Sequence, residues 1–270
     1  MGAQLKIAKS LVLILALSLH SAAAQSAPLA SPGDVTLSDV ELLVDDVAAN
    51  RTFWTTLGGT PFTTKDSEGV TFGDFRIFLR HAAQVPPAAG SGLNHIGLHV
   101  PDVQKAIDGW KAQGLKTQPG RNPQQAYVWS PGDLIQVEML EDATQKVPET
   151  FHHVHIYIYT NAAGGIPEAQ AWYIRMFGAT AGTRGNFAID TLPGGELSFA
   201  RANSPAAPSI GHAIDHVGFT IKDLPAYCRK LALTGIVTDT PCTGTEVFLT
   251  DPWGNRIALH QAGASRSHFN

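Results

Sequence analysis

The chain has 270 residues, 44% apolar and 16% charged, which is enough to bury a core and to form one or two domains. Its formal net charge of −4 argues against nucleic acid as a partner. The first residues read separately: Lys6 and Lys9 precede an apolar run from Leu11 to Leu19, and Ala22-Ala23-Ala24 comes just before Gln25. That is the layout of a cleaved secretory signal over residues 1–24, and the run is too short to span a bilayer. Cleavage removes those two lysines and no acid, so the net charge becomes −6. The expected protein is periplasmic or secreted, with no membrane contact after cleavage. Export permits Cys228 and Cys242 to pair, and the alternative is that Cys228 is simply an apolar residue of a helix face.

After a leader over 25–34, one unit of strand, helix and three strands can be traced four times, and a tail follows over 263–270. In the first copy Ala49, Phe53 and Leu57 lie at helical spacing, and Asp74 to Leu79 forms the last strand. The second opens on His95-Ile96-Gly97-Leu98-His99-Val100 and continues with Val103, Ala106, Ile107 and Trp110 at i, i+3, i+4 and i+7. The third opens at His153 and has Ala169, Trp172, Tyr173 and Met176 at the same spacing, behind an insertion over 161–166. In the fourth, Val217, Phe219 and Ile221 alternate with His216, Gly218 and Thr220, and a helix carries Leu224, Tyr227, Cys228 and Leu231. Three strands then follow, at 236–238, 246–250 and 256–260. The glycine closing each helix lies 19 residues beyond Asp39, His95 and His216, at Gly58, Gly114 and Gly235, and 25 beyond His153, at Gly178. Pro, Ala and Gly dominate the joins at 82–92 and 202–211, whereas the join at 141–150 is shorter and more charged.

Asp215-His216-Val217-Gly218-Phe219 and Asp251-Pro252-Trp253-Gly254-Asn255-Arg256-Ile257 resemble the βαβββ module of the vicinal oxygen chelate superfamily, the glyoxalase, bleomycin-resistance and extradiol-dioxygenase relatives. The resemblance covers nearly all of 35–262. It implies an α+β fold of four modules paired into two domains, most simply 35–145 and 150–262, with the exchange of modules (two with three, one with four) as the other arrangement. It also implies a cavity for a small oxygenated molecule beside a divalent metal (Fe, Mn, Zn or Ni), and either a lyase or dioxygenase of the glyoxalase or extradiol type or a sequestering protein without metal.

In such a module the first strand supplies a His and the last a Glu. Neighbour pairing would join His153 to His216, with Ser198 and Ala258 where carboxylates are expected, so that Ala258→Glu would rebuild a site beside both imidazoles. His260, two residues beyond Ala258, offers a third imidazole if the metal is displaced. His95 and Glu138, 43 residues apart against 42 from His216 to Ala258, form a second candidate pair, with Asp39 beside them under neighbour pairing. Exchanged pairing would instead bring His95, Glu138 and His153 together as a facial set of two imidazoles and a carboxylate. His155 lies on the same side of its strand as His153 and is read as a rim residue.

Overall fold

The structure is a computed structural model that describes residues 28–264, so the expected signal sequence lies outside the described residues. The four modules are β1 (Val35–Val44) to β4 (Phe75–His81), β5 (Leu93–Val100) to β8 (Gln136–Glu141), β9 (Thr150–Ile158) to β12 (Gly195–Arg201), and β13 (Ile214–Ile221) to β15 (Arg256–Gln261). Each carries one helix after its first strand: α1 (Val47–Thr56), α2 (Val103–Ala112), α3 (Ile166–Phe177) and α4 (Leu224–Ala232). Asp46, Asp102 and Asp223 cap three of them, each carboxylate accepting the N–H three residues on at 2.9 Å. Gly58, Gly114, Gly178 and Gly235 all have positive φ, which explains their place after each helix. The apolar faces read from the sequence are buried, among them Trp110, Tyr173, Met176, Tyr227 and Leu231. Among the described residues no helix is long and apolar enough to cross a membrane.

Two sheets result. One runs β14-β15-β13-β1-β4-β3-β2 and the other β10-β11-β12-β9-β5-β8-β7-β6, with β3 at Glu68–Phe72, β2 at Thr60–Thr63, β14 at Glu246–Thr250, β10 at Thr180–Arg184, β11 at Phe187–Leu192, β7 at Gln125–Trp129 and β6 at Thr117–Pro119. Every last strand lies parallel beside its own first strand, and first strands pair antiparallel at the centre, β1 with β13 and β5 with β9. The modules are therefore exchanged, first with fourth and second with third, and the simpler division into 35–145 and 150–262 does not describe how the sheets are built. The chain crosses between sheets twice, and the two crossing segments bond to each other: Gly92 N–H donates to the Ala207 carbonyl, and Ala207 N–H to that of Gly90. Packing joins the sheets through their helices. Phe177 of α3 stacks on Phe219 of β13 with ring centroids 4.0 Å apart, and the Tyr227 hydroxyl donates to the Met176 carbonyl.

The fourth module departs from its pattern, because residues 236–238 form no strand and Val237 is exposed. Cys228 and Cys242 are bridged, with Cα atoms 5.9 Å apart, so the segment is tied back to α4, and Pro241 removes a donor from any ladder there. Closing this short loop contributes about 3 kcal/mol in the chain-entropy description. Unreduced, denatured protein is expected to show no free thiol, and reduction is expected to lower the melting temperature.

Asp190 is fully buried on β11, and neither carboxylate oxygen has a hydrogen-bond partner. Burial raises its pKa to about 7, and the adjacent Gln170 amide acts weakly the other way. The native state therefore keeps a proton that the unfolded chain releases near pH 4, so stability is lost as pH rises from about 4 towards 7. Asp190→Asn is expected to stabilise the protein by a few kcal/mol at pH 8, with the gain shrinking towards pH 4. Melts across that range check it.

Candidate metal centre

Strands β5 and β9 place His95 opposite His155, and Gly97 opposite His153. The side-chain period of two sends all four positions to one face of the sheet. Glu138 stands beside Gly97 on β8, and the His153 ring lies over Gly97 where any Cβ would collide with it. Gly97 is thus the gap into which the cluster folds.

His95, Glu138, His153 and His155 are at most 4% exposed, and each offers a ligand atom within 4.8 Å of the others. Glu138 Oε2 lies 3.0 Å from His153 Nε2 and 3.4 Å from His95 Nε2, while His155 Nδ1 is 2.9 Å from His95 Nε2. Bonds of about 2.1 Å to one ion would set neighbouring ligand atoms roughly 3.0–3.4 Å apart. The other Glu138 oxygen accepts from the Gln125 amide. Nε2 of His155 has no partner, and that of His153 has only the carboxylate beside it, in a geometry that makes no hydrogen bond. Buried imidazole nitrogens and one carboxylate at this spacing fit a divalent cation.

Electrostatics agree. Burial disfavours the Glu138 charge, but the His153 and His95 imidazoles beside it outweigh that penalty and hold the carboxyl well below its ordinary range. Burial lowers His153 to about 4 against the pull of Glu138, and lowers His155 to about 2. These groups present lone pairs at neutral pH.

His216 is not part of this site. It lies on β13 of the other sheet, grouped with Glu41 and Asp215, so the expected pairing of His153 with His216 fails because the modules are exchanged. Ala258 also lies there, opposite Gly218, and so could not complete a site with His153. His260 sits 3.4 Å from Asp39 and 3.2 Å from Glu246 on that same sheet. Arginines neutralise much of this group: Arg80 Nε donates to Glu41 at 2.6 Å and Arg256 to Asp215 at 3.0 Å. It is better read as an ion-pair network than as a second ligand set. Ser198, where a fourth ligand would stand, instead accepts from Arg184 Nη2 at 3.1 Å. The rim position expected for His155 is corrected, since its ring is buried among His95, Phe187 and Tyr157. Alternation put it on the right face, but only the exchanged partner strand covers it.

Paired βαβββ modules around a buried imidazole and carboxylate cluster define a class of small-molecule, metal-site folds. A family model described as the Glyoxalase/Bleomycin resistance protein/Dioxygenase superfamily matches residues 123–259, just over half of the chain. The chain belongs to this superfamily. No curated protein matches by sequence. Among solved structures, glyoxalase I from Zea mays is 16% identical, with a TM-score of 0.65 over 84% of this chain and 92% of that one. A candidate dioxygenase from Bacillus subtilis is 12% identical, with a TM-score of 0.64 over 87% of both chains. CppA from Streptococcus pneumoniae is 9% identical, with a TM-score of 0.52 over 83% of this chain and 97% of that one. At these identities the likeness is one of fold.

His155→Phe tests the electrostatics. A His kept neutral by burial makes stability fall as pH drops from about 6.5 towards the folded pKa, because the unfolded chain takes up the proton first. Removing this imidazole is expected to flatten the acid limb of stability against pH by up to roughly 1.4 kcal/mol per pH unit, read from denaturant melts between pH 6.5 and 4.

Proposed function

We propose that the chain is an exported, metal-dependent enzyme of the glyoxalase or extradiol-dioxygenase type, a lyase or dioxygenase acting on a small oxygenated molecule. The observation that carries this reading is the spacing of His95, Glu138, His153 and His155, which suits one divalent ion. His95, His153 and the Glu138 carboxylate would hold it. His155 would join through Nδ1, because the single lone pair of His95 Nε2 cannot serve both the ion and His155. A divalent ion there supplies Lewis-acid polarisation of neighbouring substrate oxygens.

The surrounding side chains orient the substrate. Tyr127 and Tyr157, half-buried and raised in pKa by burial and then by Glu138, keep their hydroxyl protons at neutral pH and can donate to a substrate oxygen. Arg184 donates to both Ser198 and Glu196, which fixes its guanidinium beside the cluster. Export is supported by the signal layout of residues 1–24 and by the Cys228–Cys242 bridge.

Metal-stripped protein titrated calorimetrically with Fe(II), Mn(II), Zn(II) or Ni(II) is expected to take up one equivalent. His153→Ala and Glu138→Gln should each weaken binding by more than the roughly 10–100-fold that follows loss of an outer hydrogen-bond partner, whereas His216→Ala should leave it unchanged. If the natural protein takes up no ion but is stabilised by small oxygenated ligands, the sequestering reading replaces the enzymatic one.

A further inference from the structure

Each first strand carries a β-bulge, and in all four modules the bulged residue immediately precedes the one that occupies the site position. The register passes from Leu37 to Asp39 and from Leu93 to His95, leaving Ser38 and Asn94 without partners across the ladder. It passes likewise from Gly97/His153 to Leu98/Phe151 and from Glu41/His216 to Leu42/Ile214, leaving out His152 and Asp215. A bulge breaks the alternation of faces, so the extra side chain turns towards its successor. Ser38 Oγ donates to Asp39 at 2.7 Å, Asn94 Oδ1 meets His95 Nδ1 at 2.9 Å, His152 Nδ1 meets His153 Nδ1 at 2.8 Å, and Asp215 Oδ1 meets His216 Nδ1 at 2.8 Å.

We propose that Asn94 and His152 are positioning residues that hold His95 and His153 with the proton on Nδ1, so that Nε2 offers its lone pair to an ion. This deepens the metal-site reading above and rests on it only for the ion. Asp215 makes the logic plain, since a carboxylate has no hydrogen to give and His216 Nδ1 must carry it. Asn94 Oδ1 occupies the same place, and the tautomer it imposes leaves His95 Nε2 to accept from His155 Nδ1–H in the metal-free protein. His152 needs a proton on its own Nε2 to leave Nδ1 as an acceptor. Glu196, whose Oε2 lies 4.0 Å from that Nε2 and whose other oxygen accepts from Arg184, favours that proton. His152 is further held by stacking on His99 with centroids 3.9 Å apart.

The test is the imidazole nitrogen–proton correlation spectrum of 15N-labelled, metal-free protein together with Zn(II) calorimetry. His95 is expected as the Nδ1–H tautomer in the natural protein and in Asn94→Asp, and as Nε2–H in Asn94→Leu. Zn(II) affinity should fall about 10–100-fold in Asn94→Leu and recover in Asn94→Asp. His152→Leu should likewise weaken Zn(II) binding, and His152→Asn should restore it. A natural His95 carrying its proton on Nε2, or an unchanged tautomer in Asn94→Leu, overturns the proposal. Should the leucine variant fail to fold, the natural spectrum and that of Asn94→Ala decide the point. If the expected tautomer is found in a protein that takes up no Zn(II), the metal reading fails while the positioning role stands.

Discussion

The site depends on the antiparallel pairing of two first strands, β5 and β9, in a register that sets Gly97 against His153. A glycine at that position opens a gap one side chain wide. His153 folds over it, Glu138 reaches it from the parallel neighbour β8, and His95 stands two residues before it on the same face. A one-residue slip would turn the whole set to the other face, where the helices pack. The apolar cores beneath α2 and α3 hold the register, because Ile96, Leu98, Val154 and Ile156 are fully buried at the alternate positions.

The same geometry on the other sheet gave a different outcome. Gly218 is the counterpart of Gly97, and Asp39 lies across it as His153 lies across Gly97. The last strands, however, bring Phe78 and Ala258 where Glu138 stands in the second module. Arg80 and Arg256 then pair with Glu41 and Asp215. A buried carboxylate already matched by a guanidinium resists exchange for a cation, since releasing the arginine would leave its charge without a partner. One fold therefore carries two buried polar centres, one closed by arginine ion pairs and one without them.

The repeat, its helix faces and its closing glycines were legible because each follows from a local rule: period 3.6 for Leu224, Tyr227 and Leu231, period 2 for Val217, Phe219 and Ile221, and positive φ for Gly114 and Gly235. His95, Glu138 and His153 follow from matched positions in those repeats. Which first strands meet is not a local property, so neighbour pairing would join His153 to His216, whereas the sheets pair β5 with β9 and β1 with β13. A signal for the exchange was nonetheless present in the joins. The Pro-, Ala- and Gly-rich segments 82–92 and 202–211 are the two that cross between sheets, and the short charged join at 141–150 connects modules sharing one. The bulges left no comparable trace, because Ser38, Asn94, His152 and Asp215 differ in type and share only their place before a site residue.

That variety is informative about what the bulge does. A backbone feature needed only to twist the strand would accept apolar residues as readily as polar ones, yet each of the four side chains meets its successor through a polar atom at 2.7–2.9 Å. The successor changes from Asp39 to three histidines, and the partner changes with it: a hydroxyl donor stands before the carboxylate, and side chains that can accept a proton's hydrogen bond stand before the imidazoles. Matching a donor to an acceptor and an acceptor to a donor is what orienting the next side chain requires. In this chain the deviation from regular β structure therefore lies on the path from sequence to site chemistry. The exchanged pairing brings the ligand-bearing strands together, and the bulges decide which nitrogen each imidazole presents.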